Sequence, residues 1–272
     1  MMLKKLSVYT IIVPVLISFM VSIATAGELS VVMSTSMLAS AAREITPQSE
    51  SITIVTLLPP SSCPGHFDLS PRVIPLLKSA TIAVRHDYQN IIEEKLAAMG
   101  AGSTTFLTVD TKESPLIPSN YYLLAKQIGT VYNSVFPEHH DEITIAVDSV
   151  KHRTDFLSKQ ALTSAAPWKG RSVIASEHVS ELCRWLGFNV AGIIKRPEDM
   201  TPQDFQNLVI LKADIIVANL QEGVQGAESL GKRMKLPVAV LSNFPDADGF
   251  GTDYYSLMKT NLFRLDEAWR KR

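Results

Sequence analysis

The strongest constraint on this chain is a rhythm: two runs of alternating strand-like and helix-like segments, separated by a stretch with no strand signal. "LSVVM" (29–33) reads as a buried strand, and "STSMLASAAREI" as a helix that its Ser/Thr start can cap. "SITIVTLL" (51–58) is a second strand. "SPRVIPLLKSA" then predicts a helix with Ser70 as N-cap and Pro71 at the first helical position. "TIAVRH" (81–86) is a third strand. "DYQNIIEEKLAAMG" places Ile91, Ile92, Leu96 and Met99 at helical spacing, and "STTFLTVD" (103–110) is a fourth strand. The second run repeats the pattern. "RSVIAS" (171–176), "FNVAGIIK" (188–195), "DIIVANL" and "LPVAVLSN" read as strands between helical segments, one of which starts with Thr201 as cap, Pro202 and Asp204. Alternation of this kind implies parallel sheets with crossover helices. The stretch between the runs, "SNYYLLAKQIGTVYNSVF" and "DEITIAVDSVKHRTDFLSKQAL" around "PEHH", is helical throughout. The expected fold class is therefore α/β: two parallel-sheet α/β domains at 27–115 and 165–272, joined by a long rigid helix at 116–164. A ligand cleft should lie between the carboxyl ends of the two sets of strands.

Residues 1–26 stand apart from this rhythm. "MMLKK" is a basic start, "LSVYTIIVPVLISFMVSI" an apolar core, and "ATA" supplies small residues, Ala24 and Ala26, at the −3 and −1 positions of a secretory signal. The rival is a membrane anchor, but Pro14 interrupts the apolar stretch and no second one follows. Cleavage after Ala26 gives a periplasmic chain beginning at Gly27. It also removes Lys4 and Lys5 from the 26 basic residues, leaving a net charge of −3 against 27 acidic ones. With no basic stripe to hold a phosphate backbone, nucleic acid is excluded as a partner. The two cysteines, Cys63 and Cys183, are far apart in sequence. In an oxidising compartment they can pair, stay free or bind metal. Structural roles suit both best.

The six histidines carry the functional signal. His66, in "LLPPSSCPGHFDLSP", follows the strand at 51–58; His86 ends the strand at 81–86; His178 follows the strand at 171–176. All three fall at carboxyl ends of expected strands, two in one half and one in the other. A metal shared between two domains needs that distribution, and imidazole suits zinc, copper, iron or nickel, and manganese with carboxylate help. Asp246 and Asp248, in "SNFPDADGFG", follow the last strand and can add a carboxylate. His139, His140 and His152 fall on the helical connector and read as solvated. A single histidine at a strand end is more often a loop residue than a ligand; the coincidence of three carries the reading.

The chain resembles the periplasmic solute-binding proteins of zinc/manganese ABC transporters, the metal-binding cluster A-I. "ITIVTLLPPSSCPGHFDLSPRVIPLLKSATIAV" is similar to the family's strand, Pro-rich turn, His-x-(Tyr/Phe)-(Glu/Asp)-x-(Ser/Thr)-Pro and helix, with His66 at the first ligand position. "SVIASEHVSELCRWLGF" resembles its strand, His and helix, with His178 on the histidine, and "GTDYYSLMKTNLFRL" its closing helix. The resemblance implies a bound transition metal, zinc or manganese, carried as cargo and not as a catalytic cofactor. It also implies delivery to an ABC permease by a monomer that catalyses nothing. The chain departs from the family in three places. Where the family has Asp-Pro-His-x-Trp, this chain has "KESPLIPSNYY", with Glu113 the nearest candidate ligand. Where it has an Asp after the last strand, the register gives Asn243, with Asp246 three residues on. There is no His-rich loop. His86 is a candidate replacement for a missing ligand.

Two other readings fit the residues. A protein of the same architecture can carry a metal chelate or haem, which fills some coordination positions itself. A metal-dependent hydrolase would use three histidines and a water, or Cys63 as a nucleophile with His66 nearby. Against an enzyme, the chain has no Gly-x-Ser-x-Gly, no His-Glu-x-x-His and no phosphate-cradling glycine loop.

Overall fold

The computed structural model describes residues 29–48, 52–64, 71–98 and 106–272. The expectations placed on the segment up to Ala26, on His66 and on the Ser70 cap lie outside these residues. Two four-stranded sheets form the frame, and every strand pair is parallel. The first contains β1 (Leu29–Met33), β2 (Ile52–Thr56), β3 (Ile82–His86) and β4 (Phe106–Val109), in the order β2-β1-β3-β4. The second contains β5 (Ser172–Ser176), β6 (Asn189–Ile194), β7 (Ile215–Asn219) and β8 (Val238–Leu241), in the order β6-β5-β7-β8. The inner strands β3 and β7 are buried along their whole length. Their apolar stretches, 82–84 and 215–218, fit crossover helices covering both faces of a parallel sheet, while the polar residues Arg85, His86 and Asn219 fall at the carboxyl ends.

Each sheet reverses its strand order once, between β1 and β3 and between β5 and β7. Chains leaving two adjacent strands in opposite directions open a crevice at their carboxyl ends. The segments that follow the carboxyl ends of the strands in both sheets therefore become the cleft walls.

Local chemistry sets the helix starts. In α1 (Ser36–Ile45) the Thr35 side chain accepts from Leu38 N–H. In α7 (Pro202–Val209) Thr201 and Asp204 form a full capping box, as the sequence implies. Asp253 and Ser256 form another at α9 (Tyr254–Arg270). The helix expected from Pro71 instead begins two residues later, as α2 (Val73–Ser79) with no side-chain cap. Pro75 has no N–H to reach the Pro71 carbonyl, so that carbonyl closes only a short turn with Ile74 N–H at 3.3 Å.

Between the sheets, no strand occurs among residues 116–164, which form α4 (Pro118–Val135) and α5 (His140–Ala165). The two helices run antiparallel, with Gly129 facing Ile143 and Val147, and Tyr122 facing Lys151. A Cβ on Gly129 would come 2.8 Å from Val147 Cγ2, so glycine is what lets the helices approach this closely. The 26 residues of α5 make it about 39 Å long. The connector is thus a helix hairpin whose second arm is the long helix the sequence implies. It is tied to its neighbours by polar contacts at Glu44 of α1. The Glu44 carboxylate accepts from the hydroxyls of Tyr121 (2.5 Å) and Tyr255 (2.9 Å) and pairs with Arg153 of α5 at 2.8 Å. Burial raises the Glu44 pKa, partly offset by those donors.

Candidate metal site

A cleft with a volume of about 360 Å³ opens between the two sheets. One wall comes from the first half: Cys63, His86, Tyr88 and the segment 111–116. The other comes from residues after the strands of the second: Glu177 and His178 after β5, Arg196 after β6, Asn219 to Glu222 at β7, and Asn243 after β8. The walls are stitched together by Gln221 Nε2 donating to Pro60 O (2.9 Å) and Ser114 N–H donating to Glu181 Oε2 (2.9 Å).

His178 is the best-placed ligand among the described residues. It is the second residue of α6 (Glu177–Trp185), at the start of the helix that follows β5, and its side chain is 45% exposed. The adjacent strand β7 leads to Glu222, whose side chain is only 4% exposed. Glu222 Oε1 accepts a hydrogen bond from His178 Nδ1 at 2.9 Å, and Oε2 accepts the His178 backbone N–H at 3.2 Å. The acceptor-only carboxylate fixes the tautomer: Nδ1 carries the hydrogen and Nε2 keeps its lone pair. This is the arrangement in which a carboxylate orients a metal-ligating histidine. Glu177 is exposed, and its carboxylate lies within 4.8 Å of the donor atoms of the other two. Asn243 also lines the cleft, and its buried Oδ1 has no hydrogen-bond partner among the described residues.

The other expected ligands fare differently. Glu113 lines the cleft and is exposed. His86 reaches the cleft wall but offers no lone pair. Its Nδ1 meets Thr111 Oγ1 at 2.7 Å and its Nε2 meets Thr35 Oγ1 at 2.9 Å. Thr111 passes its own hydroxyl proton toward Val109 O, and Thr35 already caps α1, so the ring is a neutral Nδ1–H tautomer held at both ends. Asp246 also lies apart from His178 and Glu222. After β8 the chain turns through a positive φ of 63° at Asp246, whose N–H bonds Gly251 O, and the exposed carboxylate points to Arg43 at 3.7 Å, away from the cleft lining. On the connector, His140 and His152 are exposed, whereas His139 is only partly so and lies beside Glu138 and Glu142. Cys63 and Cys183 are not bonded to each other. Cys63 lines the cleft; Cys183 is packed in the core, where burial pushes its pKa up to about 12.

The burial of His86 has a measurable consequence. Desolvation lowers its pKa to about 3. In the unfolded chain a histidine takes up its proton near pH 6.5. Between those values the unfolded state binds the extra proton, so stability falls as the pH falls. From pH 7 to pH 5 the loss amounts to about 2 kcal/mol. Urea unfolding at both pH values should show wild type losing that much more than His86→Gln; equal losses would contradict it.

Comparison with known proteins places this cleft. The family described as the periplasmic component A of the zinc-uptake complex matches residues 116–268. The chain belongs to this family. The match spans the connector and the whole second half, including His178, Glu222 and Asn243. No curated relative matches the chain in sequence. Solved structures share its fold at low identity. The periplasmic zinc-binding protein TroA of Treponema pallidum is 14% identical with a TM-score of 0.73, over 89% of this chain and 99% of that one. A structure of ZnuA is 14% identical with a TM-score of 0.71, over 88% and 98%. The manganese-bound periplasmic metal-binding protein of Candidatus Liberibacter asiaticus is 12% identical with a TM-score of 0.70, over 88% and 99%. A member of this family is a periplasmic metal-binding component of a zinc-uptake complex.

Sequence reasoning missed Glu222, Glu177, Arg196 and Asn219. It searched for histidines at strand ends. The same rule applied to carboxylates after "DIIVANL" would have found Glu222, three residues past the end of β7.

Proposed function

We propose that this protein captures one zinc or manganese ion in the cleft between its two halves and passes it to an ABC permease. The observation that carries this reading is His178: it lines the cleft and its Nδ1 is pinned by the buried Glu222, with Nε2 3.5 Å from an Arg196 nitrogen that also lines the cleft. Family membership supplies the cargo class. In this reading His66 provides the opposing imidazole from the first half, and Glu113, Glu177 and Asn243 are the remaining oxygen donors within the cleft. Residues 27–115 and 165–272 act as the two jaws and 116–164 as the strut that spaces them. The chain works as a monomer in the periplasm after cleavage behind Ala26, so N-terminal sequencing of exported protein should start at Gly27. Among the described residues no helix is long and apolar enough to cross a membrane.

The test is competitive titration of zinc and manganese against a chromophoric chelator near pH 7.5, where ordinary histidines are mostly neutral. Saturable one-to-one uptake of either ion supports the reading, and no uptake of either contradicts it. Glu222→Gln in the same assay keeps an acceptor for Nδ1 but removes the charge that anchors it. The affinity should fall about 10- to 100-fold; a wild-type affinity would show that Glu222 does not position the ligand.

A further inference from the structure

Among the described residues a second hollow, a groove of about 1140 Å³, runs between α5 and α9 and shares no lining residue with the cleft. Its α9 bank is one face of that helix: Tyr255, Lys259, Phe263, Asp266 and Arg270 recur at spacings of three or four. That face extends about 22 Å. The α5 bank carries Arg153, Phe156 and Lys159, and the buried Leu157 and Trp168 lie at the floor. Two phenylalanines stand in the open on opposite banks, Phe156 at 62% exposed and Phe263 at 61%. Large aromatic side chains grouped outside the core and rimmed by polar residues mark a surface that is buried on binding.

The charge on this surface says what it is built to meet. The chain as a whole has a net charge of −1, yet the groove lining holds four cations against Asp266 alone. Arg153 is answered by Glu44 at 2.8 Å and Arg270 by Asp266 at 2.7 Å. Lys159 and Lys259, one on each bank, make no ion pair among the described residues. Asp155, whose charge Lys159 senses, is already held by Lys151 at 2.7 Å. Shape then separates the occupants such a surface can take. A trough about four helical turns long fits a helix laid lengthwise. A bilayer surface is flat and reaches the phenylalanines but not the floor between them. A second copy of this chain, facing groove to groove, sets like charges against each other, which opposes pairing.

We propose that the groove between α5 and α9 docks an amphipathic helix of another protein, whose apolar face packs between Phe156 and Phe263 and whose carboxylates pair with Lys159 and Lys259. Its anchors are apolar residues at i, i+3, i+4 and i+7, turned toward Leu157 and Trp168. Because groove and cleft share no lining residue, such a partner holds the protein without covering His178. The inference stands apart from the metal reading of the cleft.

The experiment selects helices without presupposing their charge. A display library of helix-stabilised peptides about 15 residues long, the span of the α9 bank, carries a fixed apolar stripe and randomised flanks. It is panned against the full chain, and the selected peptides are measured by fluorescence anisotropy. They should be enriched in Asp and Glu on both flanks, and their binding should weaken as salt rises. Their Kd should increase tenfold or more in Lys259→Glu and in Phe263→Ser. Both side chains are exposed, so these variants should keep the melting temperature and zinc affinity of wild type. Peptides without acidic enrichment, or an affinity unchanged in both variants, overturn the proposal. Co-sedimentation with phosphatidylglycerol vesicles that Phe263→Ser abolishes assigns the face to a membrane and overturns it too. So does a dimer in native mass spectrometry that Lys259→Glu or Phe263→Ser dissolves.

Discussion

Replacing His178 with alanine should cost this protein its zinc and manganese affinity by at least tenfold, about 1.4 kcal/mol or more, with little change in stability. The imidazole is nearly half exposed, so removing it opens no cavity in the core. Removing a coordinating nitrogen costs more than disturbing the groups that orient it, and those already matter 10- to 100-fold. The loss should exceed that of Glu222→Gln, because Glu222 acts through His178. His66→Ala should behave like His178→Ala, from its position in the family resemblance. His152→Ala, on the exposed face of α5, and Asp246→Asn, beside Arg43, should bind as wild type does. A His178→Ala variant with wild-type affinity in the chelator competition would remove the central residue from the site.

The largest stability effect should come from Tyr254→Ala. Tyr254 is fully buried at the start of α9, its ring stacked on Tyr121 of α4 with centroids 3.7 Å apart. Its hydroxyl donates to Leu116 O at 2.9 Å, and its N–H donates to Ser40 Oγ of α1 at 3.0 Å. The side chain thus joins the last helix to the connector, and the backbone N–H of the same residue ties it to the first helix. Deleting a buried aromatic of this size costs about 3–5 kcal/mol. At about 2–4 °C per kcal/mol for a chain of this size, thermal unfolding should move down by roughly 10 °C. Tyr254→Phe should lose only about 1–2 kcal/mol, for the unpaired Leu116 carbonyl. The link to function is the same hydrogen bond, because Leu116 lines the cleft. A Tyr254→Ala protein as stable as wild type would mean that the stack does not hold the halves together.

The sequence was most legible where burial alone decides structure. Parallel strands covered on both faces are apolar through most of their length, so β3 and β7 show as short apolar runs at 82–84 and 215–218. Thr201, Pro202 and Asp204 fix the start of α7 by contacts within four residues. The helix after the Pro-rich loop was misread at its start because Pro75 acts on the turn before it, an effect that cap residues alone do not reveal. The site was half legible. The position of His178 at a strand end followed from the alternation of elements. Its partner did not, because Glu222 arrives from β7, which is adjacent to β5 only after the sheet has formed. His86 looked like a ligand by position. Only the packed structure shows two threonine hydroxyls, from Thr35 and Thr111, closing on its ring. Asp246 looked close enough in sequence to the end of β8, but the turn that Gly251 closes carries it outward.

The central claim is that this chain carries a metal ion in the cleft at His178. Elemental analysis with native mass spectrometry, on protein purified without chelator and then incubated with zinc or manganese, tests it most directly. The account predicts one zinc or manganese ion per chain in wild type and none retained by His178→Ala under the same washing. A wild-type mass that stays at that of the bare polypeptide, with no stoichiometric metal, would contradict it.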